Sequence, residues 1–183
     1  MQIVSSIVVL ALLLLAAPAR AEGILAQHAS LGVNDEGWVI DADFAVELSP
    51  VLVDAVQRGV ALYFVVDVEV RRPRWYWFAD KPIDQQIPMR LTWNALTRQY
   101  RVMLGAGPLA QRYDELGEVE QALGRLRAWK IADRSTLRVG EVYEVAVRMR
   151  LDTQQLPKPF QLSAITNRDW ALQSEWLRFN MSP

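Results

Sequence analysis

From residue 22 onward the sequence predicts a single, mainly β domain of α+β character. The expected form is an antiparallel β-sandwich or strongly curved sheet of about seven or eight strands, with one short and one longer helix packed on it. Three observations carry that expectation. Apolar and polar residues alternate with period two in several segments, turn-forming clusters separate those segments, and only two stretches repeat with helical spacing.

The alternation begins at Ile40, Ala42, Phe44, Val46 and Leu48, interleaved with Asp41, Asp43, Ala45 and Glu47, the pattern of a half-buried strand. Residues 24–33 are its expected partner, because Asn34, Asp35, Glu36 and Gly37 supply the turn chemistry of a hairpin. Ser49 and Pro50 read as N-cap and first residue of a helix of about two turns. Leu52, Ala55 and Val56 lie on one face of it, and Gly59 is placed to end it in a left-handed conformation.

Residues 60–71 predict a long strand, with Val60, Leu62, Phe64, Val66, Val68 and Val70 facing one way and Tyr63, Asp67, Glu69 and Arg71 the other. Pro73 interrupts it, and a further strand carries Ile83, Gln85, Ile87, Met89, Leu91 and Trp93 on alternate positions. A turn at residues 94–97 leads into residues 98–104, and Gly105, Ala106, Gly107 and Pro108 mark a loop. Residues 114–127 predict the longer helix, since Leu116, Val119, Leu123 and Leu126 share a stripe, although Gly117 and Gly124 weaken it. Tyr143, Val145, Val147, Met149 and Leu151 predict a strand whose outward side carries Glu144, Arg148, Arg150 and Asp152. Pro157 and Pro159 predict an extended connection at residues 156–160. Trp170, Leu172, Ser174 and Trp176 predict a final strand.

Residues 1–21 have the layout of a cleaved secretory signal peptide. An uncharged apolar run from Ile7 to Ala17 is followed by Pro18, and small residues Ala19 and Ala21 sit where a signal peptidase must fit them, so cleavage is expected before Glu22. The run is shorter than the roughly 20 residues of a spanning helix. The expected address is the periplasm. With no cysteine, the chain forms no disulfide and offers neither thiolate chemistry nor a lipid-anchoring thiol. The 20 basic and 21 acidic residues nearly cancel, so bulk charge does not steer the protein to nucleic acid or anionic lipid.

No catalytic, cofactor-binding or metal-binding constellation emerges. His28 is the one histidine, and no nucleophile elbow accompanies it, which argues against a serine hydrolase and against a histidine-based metal site. Asp41, Asp43, Glu69, Asp80 and Asp152 are available for a carboxylate pair, but carboxylates alternating along strands most often form a solvated face. The glycines near residue 105 lack the lysine and helix start of a phosphate loop. The expected interaction surface is Arg72, Arg74, Trp75, Tyr76, Trp77 and Phe78, together with Lys158. Aromatic rings flanked by guanidinium groups stack on partners and grip carboxylates when exposed, and pack as an ordinary sheet rim when not.

The string Arg72-Pro-Arg-Trp-Tyr-Trp-Phe78 resembles the proteobacterial family known as domain of unknown function 4390. So do Leu-Thr-Trp-Asn-Ala-Leu-Thr-Arg-Gln-Tyr at 91–100, Trp129, Leu151-Asp152, Leu-Pro-Lys-Pro-Phe-Gln at 156–161 and Asp169-Trp170. The resemblance implies an exported protein without an assigned activity. It also implies a partner, because such proteins are often encoded beside a membrane sensor kinase of the nitrogen-regulation type. Three readings follow. The first is a non-enzymatic periplasmic module that binds an envelope protein such as that kinase. The second is a small-ligand carrier or enzyme with a pocket between sheet and helix, gathering groups such as Arg90, Arg148 or Asp152. The third is a structural envelope factor.

Overall fold

The computed structural model describes residues 23–73, 80–105, 107 and 109–183; the expected signal peptide lies outside them. Nine strands occur among the described residues. They are β1 (Gly23–Asn34), β2 (Gly37–Glu47), β3 (Leu62–Arg72), β4 (Asp80–Asn94), β5 (Gln99–Leu104), β6 (Ala110–Tyr113), β7 (Arg125–Ala132), β8 (Tyr143–Leu151) and β9 (Leu177–Met181). Three helices accompany them: α1 (Pro50–Gln57), α2 (Leu116–Leu123) and α3 (Lys158–Thr166).

Local chemistry starts the fold as the sequence predicts. Asn34 Oδ1 accepts from the backbone N–H groups of Glu36 (2.9 Å) and Gly37 (3.2 Å), closing the β1–β2 hairpin. Ser49 caps α1 by accepting from Leu52 N–H, Pro50 opens the helix, and Gly59 follows it at φ +93. The strands pair antiparallel into two open sheets, one in the order β1-β2-β7 and one in the order β6-β5-β4-β3-β8-β9. Their inner faces share one core. Leu62, Phe64, Val66, Val68 and Val70 of β3 and Tyr143, Val145, Val147, Met149 and Leu151 of β8 meet Ile40, Ala42 and Phe44 of β2, all buried. Leu52 and Val56 of α1 and Val119 and Leu123 of α2 extend that core. The mainly β α+β architecture with two antiparallel sheets is therefore as expected, and the sheets do not close into a barrel.

The longer helix is not as expected. It stops at Leu123, because Gly124 lies against β2: its carbonyl accepts from Phe44 N–H at 2.8 Å, and a Cβ there would sit 2.1 Å from the Phe44 carbonyl oxygen. Residues 125–132 then pair with β2 as β7, so Leu126 is buried from a strand and not from the helical stripe it matched. A short helix gains little per added turn, and a full ladder of cross-strand hydrogen bonds outweighs it. Where β7 passes Asp41, Arg127 and Ala128 together oppose one residue of β2. Ala128 takes φ 46 there, and its N–H donates to Asp41 Oδ1 at 2.8 Å.

Two further differences concern the C-terminal third. The segment expected to be extended at 156–160 starts α3 instead, since Pro157 and Pro159 occupy the N-cap and first turn, where no backbone N–H is needed. The tail alternates in burial at Trp170, Leu172 and Ser174, but a regular strand begins only at Leu177. Trp170 belongs to a 3-10 turn, and Ser174 Oγ accepts from Met149 N–H at 3.0 Å, a side chain standing in for a ladder carbonyl.

One substitution made at two glycines separates these effects. Gly117→Ala, in open space on α2, is expected to stabilise the fold by about 0.5–1 kcal/mol. Gly124→Ala is expected to destabilise it by about 1–3 kcal/mol through the clash with Phe44. Urea unfolding of the two variants beside the parent reads both signs.

Candidate functional site

Strand alternation decides which side chains leave the core of the six-stranded sheet. On β3 the outward residues are Tyr63, Val65, Asp67 and Glu69. Register then sets Arg90 opposite Tyr63, Gln86 opposite Asp67 on β4, and Arg148 and Arg150 opposite Asp67 and Val65 on β8. Toward the other edge, Thr92 stands opposite Arg101 and Arg101 opposite Arg112. Arg90, Arg101, Arg112, Arg148 and Arg150 therefore share one face. That face is open at β4, where Asp84, Gln86, Pro88 and Arg90 are all exposed.

Asp67 anchors the centre at only 6% exposure. Arg148 Nε (2.8 Å) and Arg150 Nε (3.0 Å) both donate to its Oδ2, while Gln86 Nε2 donates to Oδ1 at 3.1 Å. Arg150 Nη1 also lies 4.0 Å from Asp152 Oδ1, so two carboxylates balance the two guanidinium groups of this centre. Trp176 carries the Arg148 guanidinium over its ring at 4.4 Å, and Arg90 lies 5.6 Å above the Tyr63 ring. Val65 and Ala146 point outward yet are only 4% and 2% exposed. Asp152 is already occupied, accepting from Gln154 N–H (3.2 Å) and Gln155 Nε2 (2.8 Å).

Arg101 and Arg112 differ from this satisfied centre. They are direct cross-strand partners of like charge, neither has an acidic partner among the described residues, and Arg101 Nε is buried with no hydrogen-bond partner. Like charges placed opposite each other cost stability. A few residues away the balance reverses. Burial raises the Glu69 pKa, but hydrogen bonds from Arg71 and from Lys81 (3.2 Å) outweigh it and hold the carboxyl below its ordinary value.

The residues expected to form an interaction surface are placed as follows. Arg74, Trp75, Tyr76, Trp77 and Phe78 lie outside the described residues. Arg72 is engaged: its Nη1 reaches both Glu141 carboxylate oxygens (2.9 and 2.7 Å) and its Nη2 reaches Asp80 (2.9 Å), tying the end of β3 to β4 and to the approach to β8. The pairing with Glu141 is also what raises the Arg72 pKa. Lys158 is exposed at the start of α3. Because β8 runs antiparallel to β3, it ends beside Phe64, roughly 26 Å along the sheet from Arg72, and Lys158 follows that end by way of a 3-10 turn. The structure does not bring the two together.

His28 is exposed at a bulge in β1. Asp43 pairs with Arg127, and Asp41 holds the β7 bulge. No group of three or more residues with metal-ligand side chains occurs among the described residues. A groove of about 1010 Å³ runs between the β1–β2 sheet and α2, lined by residues such as Ile24, Phe44, Leu116 and Glu120. Arg90, Arg148 and Asp152 do not line it. Sequence reasoning missed Arg101 and Arg112. Arg101 sits at an outward phase of a strand the sequence predicts, a visible signal, but no strand is predicted around Arg112, and their adjacency exists only through the β5–β6 register.

Residues 21–180 match the model of one protein family, described as a domain of unknown function. The chain belongs to the domain of unknown function 4390 family. The match covers both sheets and all three helices, so the open arginine face lies wholly within the family domain. Comparison with curated proteins and with solved structures finds no match. No helix among the described residues of this family member is long and apolar enough to cross a membrane.

Asp67→Ala is expected to lower unfolding stability by about 3 kcal/mol, because it removes the carboxylate that two partly buried guanidinium groups share. Chemical denaturation reads the loss. Glu69→Gln carries a pH signature. A depressed folded-state pKa contributes stability that is complete above the ordinary value of 4.5 and disappears as pH falls through the lower folded value. The stability gap between parent and Glu69→Gln is therefore expected to be constant above about pH 6 and to shrink steadily in acid, as read by urea midpoints across that range.

Proposed function

We propose that this protein is exported to the periplasm and acts there as a non-enzymatic protein-interaction module of the cell envelope. Its partner is an envelope protein, and the periplasmic region of a membrane sensor kinase is the leading candidate. The single observation that supports this reading most is the open face of the six-stranded sheet. An open sheet face that concentrates arginines around a hydrogen-bonded carboxylate suits a protein partner better than a small molecule, which binds in concave sites. Export is supported by the signal-like layout of residues 1–21 and by the family match, which begins at residue 21, where cleavage is expected. The aromatic segment at residues 74–78 and Lys158 belong to the same reading as flanking recognition elements.

A second reading, a small-ligand carrier, draws on the groove beside α2, whose volume of about 1010 Å³ is large enough for a drug-sized molecule.

The test is fractionation of cells followed by crosslinking in place. The mature protein is expected in the periplasmic fraction with Glu22 as its first residue. A photoreactive side chain at Gln86, exposed on β4, is expected to give one discrete envelope-protein adduct, and one at Ala45, exposed on β2, is expected to give none. Folded, exported protein that yields no adduct from Gln86 would overturn the interaction reading and turn attention to the groove.

A further inference from the structure

We infer that the partner presents an acidic, extended protein segment, and that the arginine row running from the β6 edge to β8 is its docking track. The inference rests on the interaction reading above and specifies what is recognised.

The row is geometric. Arg112 and Arg101 sit side by side on β6 and β5, Arg90 lies one strand over and one side-chain step along β4, and Arg150 and Arg148 continue the diagonal on β8. With strands roughly 4.8 Å apart and same-face residues roughly 6.7 Å apart along each strand, the row spans roughly 28 Å. That is the length of about eight residues of extended chain, whose alternate side chains are themselves spaced by roughly 6.7 Å. Carboxylates at every second position of such a chain would meet guanidinium groups along the whole track.

Two features favour acid over any other occupant. The first is uncompensated charge. The chain carries a net charge of −1, yet on this track Asp67 and Asp152 balance only Arg148 and Arg150, which leaves Arg90, Arg101 and Arg112 without an acidic partner among the described residues. The second is the Arg101–Arg112 pair, a like-charge opposition with a buried, partnerless Nε. A carboxylate bridging the two guanidinium groups would satisfy that nitrogen and cancel the repulsion, and guanidinium–carboxylate forks are strong and directional. A membrane surface fits less well. Interfacial binding gains most of its strength from inserted apolar side chains, and among the described residues the exposed large apolar ones, such as Leu25, Leu96, Leu162 and Ile165, lie off β3, β4, β5 and β8, while Tyr63 and Trp176 lie under arginines.

The folded protein, labelled for arginine side-chain NMR, is titrated with a peptide of about ten residues alternating Glu and Thr. Its Gln-Thr counterpart and vesicles of phosphatidylglycerol serve as controls. Saturable shifts of the Arg101, Arg90 and Arg150 Nε–H signals are expected with the acidic peptide alone. Arg101→Gln/Arg112→Gln is expected to weaken binding about tenfold or more while leaving the melting temperature unchanged or raised, since it removes the repulsion. A merely structural pair would lower the melting temperature instead. Equal binding of the neutral peptide, binding of vesicles without peptide, or no saturable shift would each overturn the inference. The crosslink from Gln86 separates the two levels. An adduct that persists at full yield in the double variant sinks acidic recognition while the interaction module stands, and absence of the adduct from the parent sinks both.

Discussion

The structure hangs on the two-sided burial of strand β3. Its inward row of Leu62, Phe64, Val66, Val68 and Val70 is fully buried, which places an uninterrupted aliphatic stripe at the middle of the core shared by both sheets. Its edges are paired along most of their length, with β4 on one side and β8 on the other. The middle of its outward side is nearly as dry, since Val65 and Asp67 are buried too, while Tyr63 and Glu69 are partly exposed. A carboxylate held in such surroundings is tolerated only when it is paired, so Asp67 requires Arg148 and Arg150, and those arginines in turn define the outer face. The apolar demand of one face and the ionic demand of the other both pass through the same eleven-residue strand.

Charge is distributed unevenly as a consequence. Where β3 nears its end, Glu69, Arg71, Lys81, Arg72, Asp80 and Glu141 neutralise one another in pairs that secure the β3–β4 corner. Where β3 begins, β4, β5 and β6 bring Arg90, Arg101 and Arg112, which have no acidic partner among the described residues. Two acidic residues of β2 are spent on the other sheet: Asp41 holds a bulge and Asp43 neutralises Arg127. Opposite ends of the same strand thus face two regimes, one internally satisfied and one left with surplus positive charge available to a partner.

Elements with a strong local code were legible in the sequence. The Asn34 turn, the Ser49 and Pro50 helix start and the alternating valines of β3 act within a few residues of themselves, so reading them needs no knowledge of the fold. The failures share one cause. Gly124, the 125–132 segment and the Ser174 hydroxyl adopt their states because of a neighbour far along the chain, Phe44, β2 or Met149 respectively. Leu126 satisfied a helical stripe by coincidence, and cross-strand pairing outweighed it. Pro159 was legible in principle, since proline both favours an extended chain and opens a helix; the choice between those roles fell to the surrounding segment.

The candidate site divides along the same line. The sequence by itself determined that the domain is mainly β and cysteine-free, that its family is the one resembled, and that arginines occupy outward phases of several strands, because alternation and residue identity are local properties. Only the tertiary structure decided that Arg101 faces Arg112, that Arg148 and Arg150 converge on one buried carboxylate, and that Arg72 and Lys158 lie far apart. Those facts depend on strand order and register, which arise from long-range pairing and from which faces bury the core, and no stretch of sequence encodes them alone.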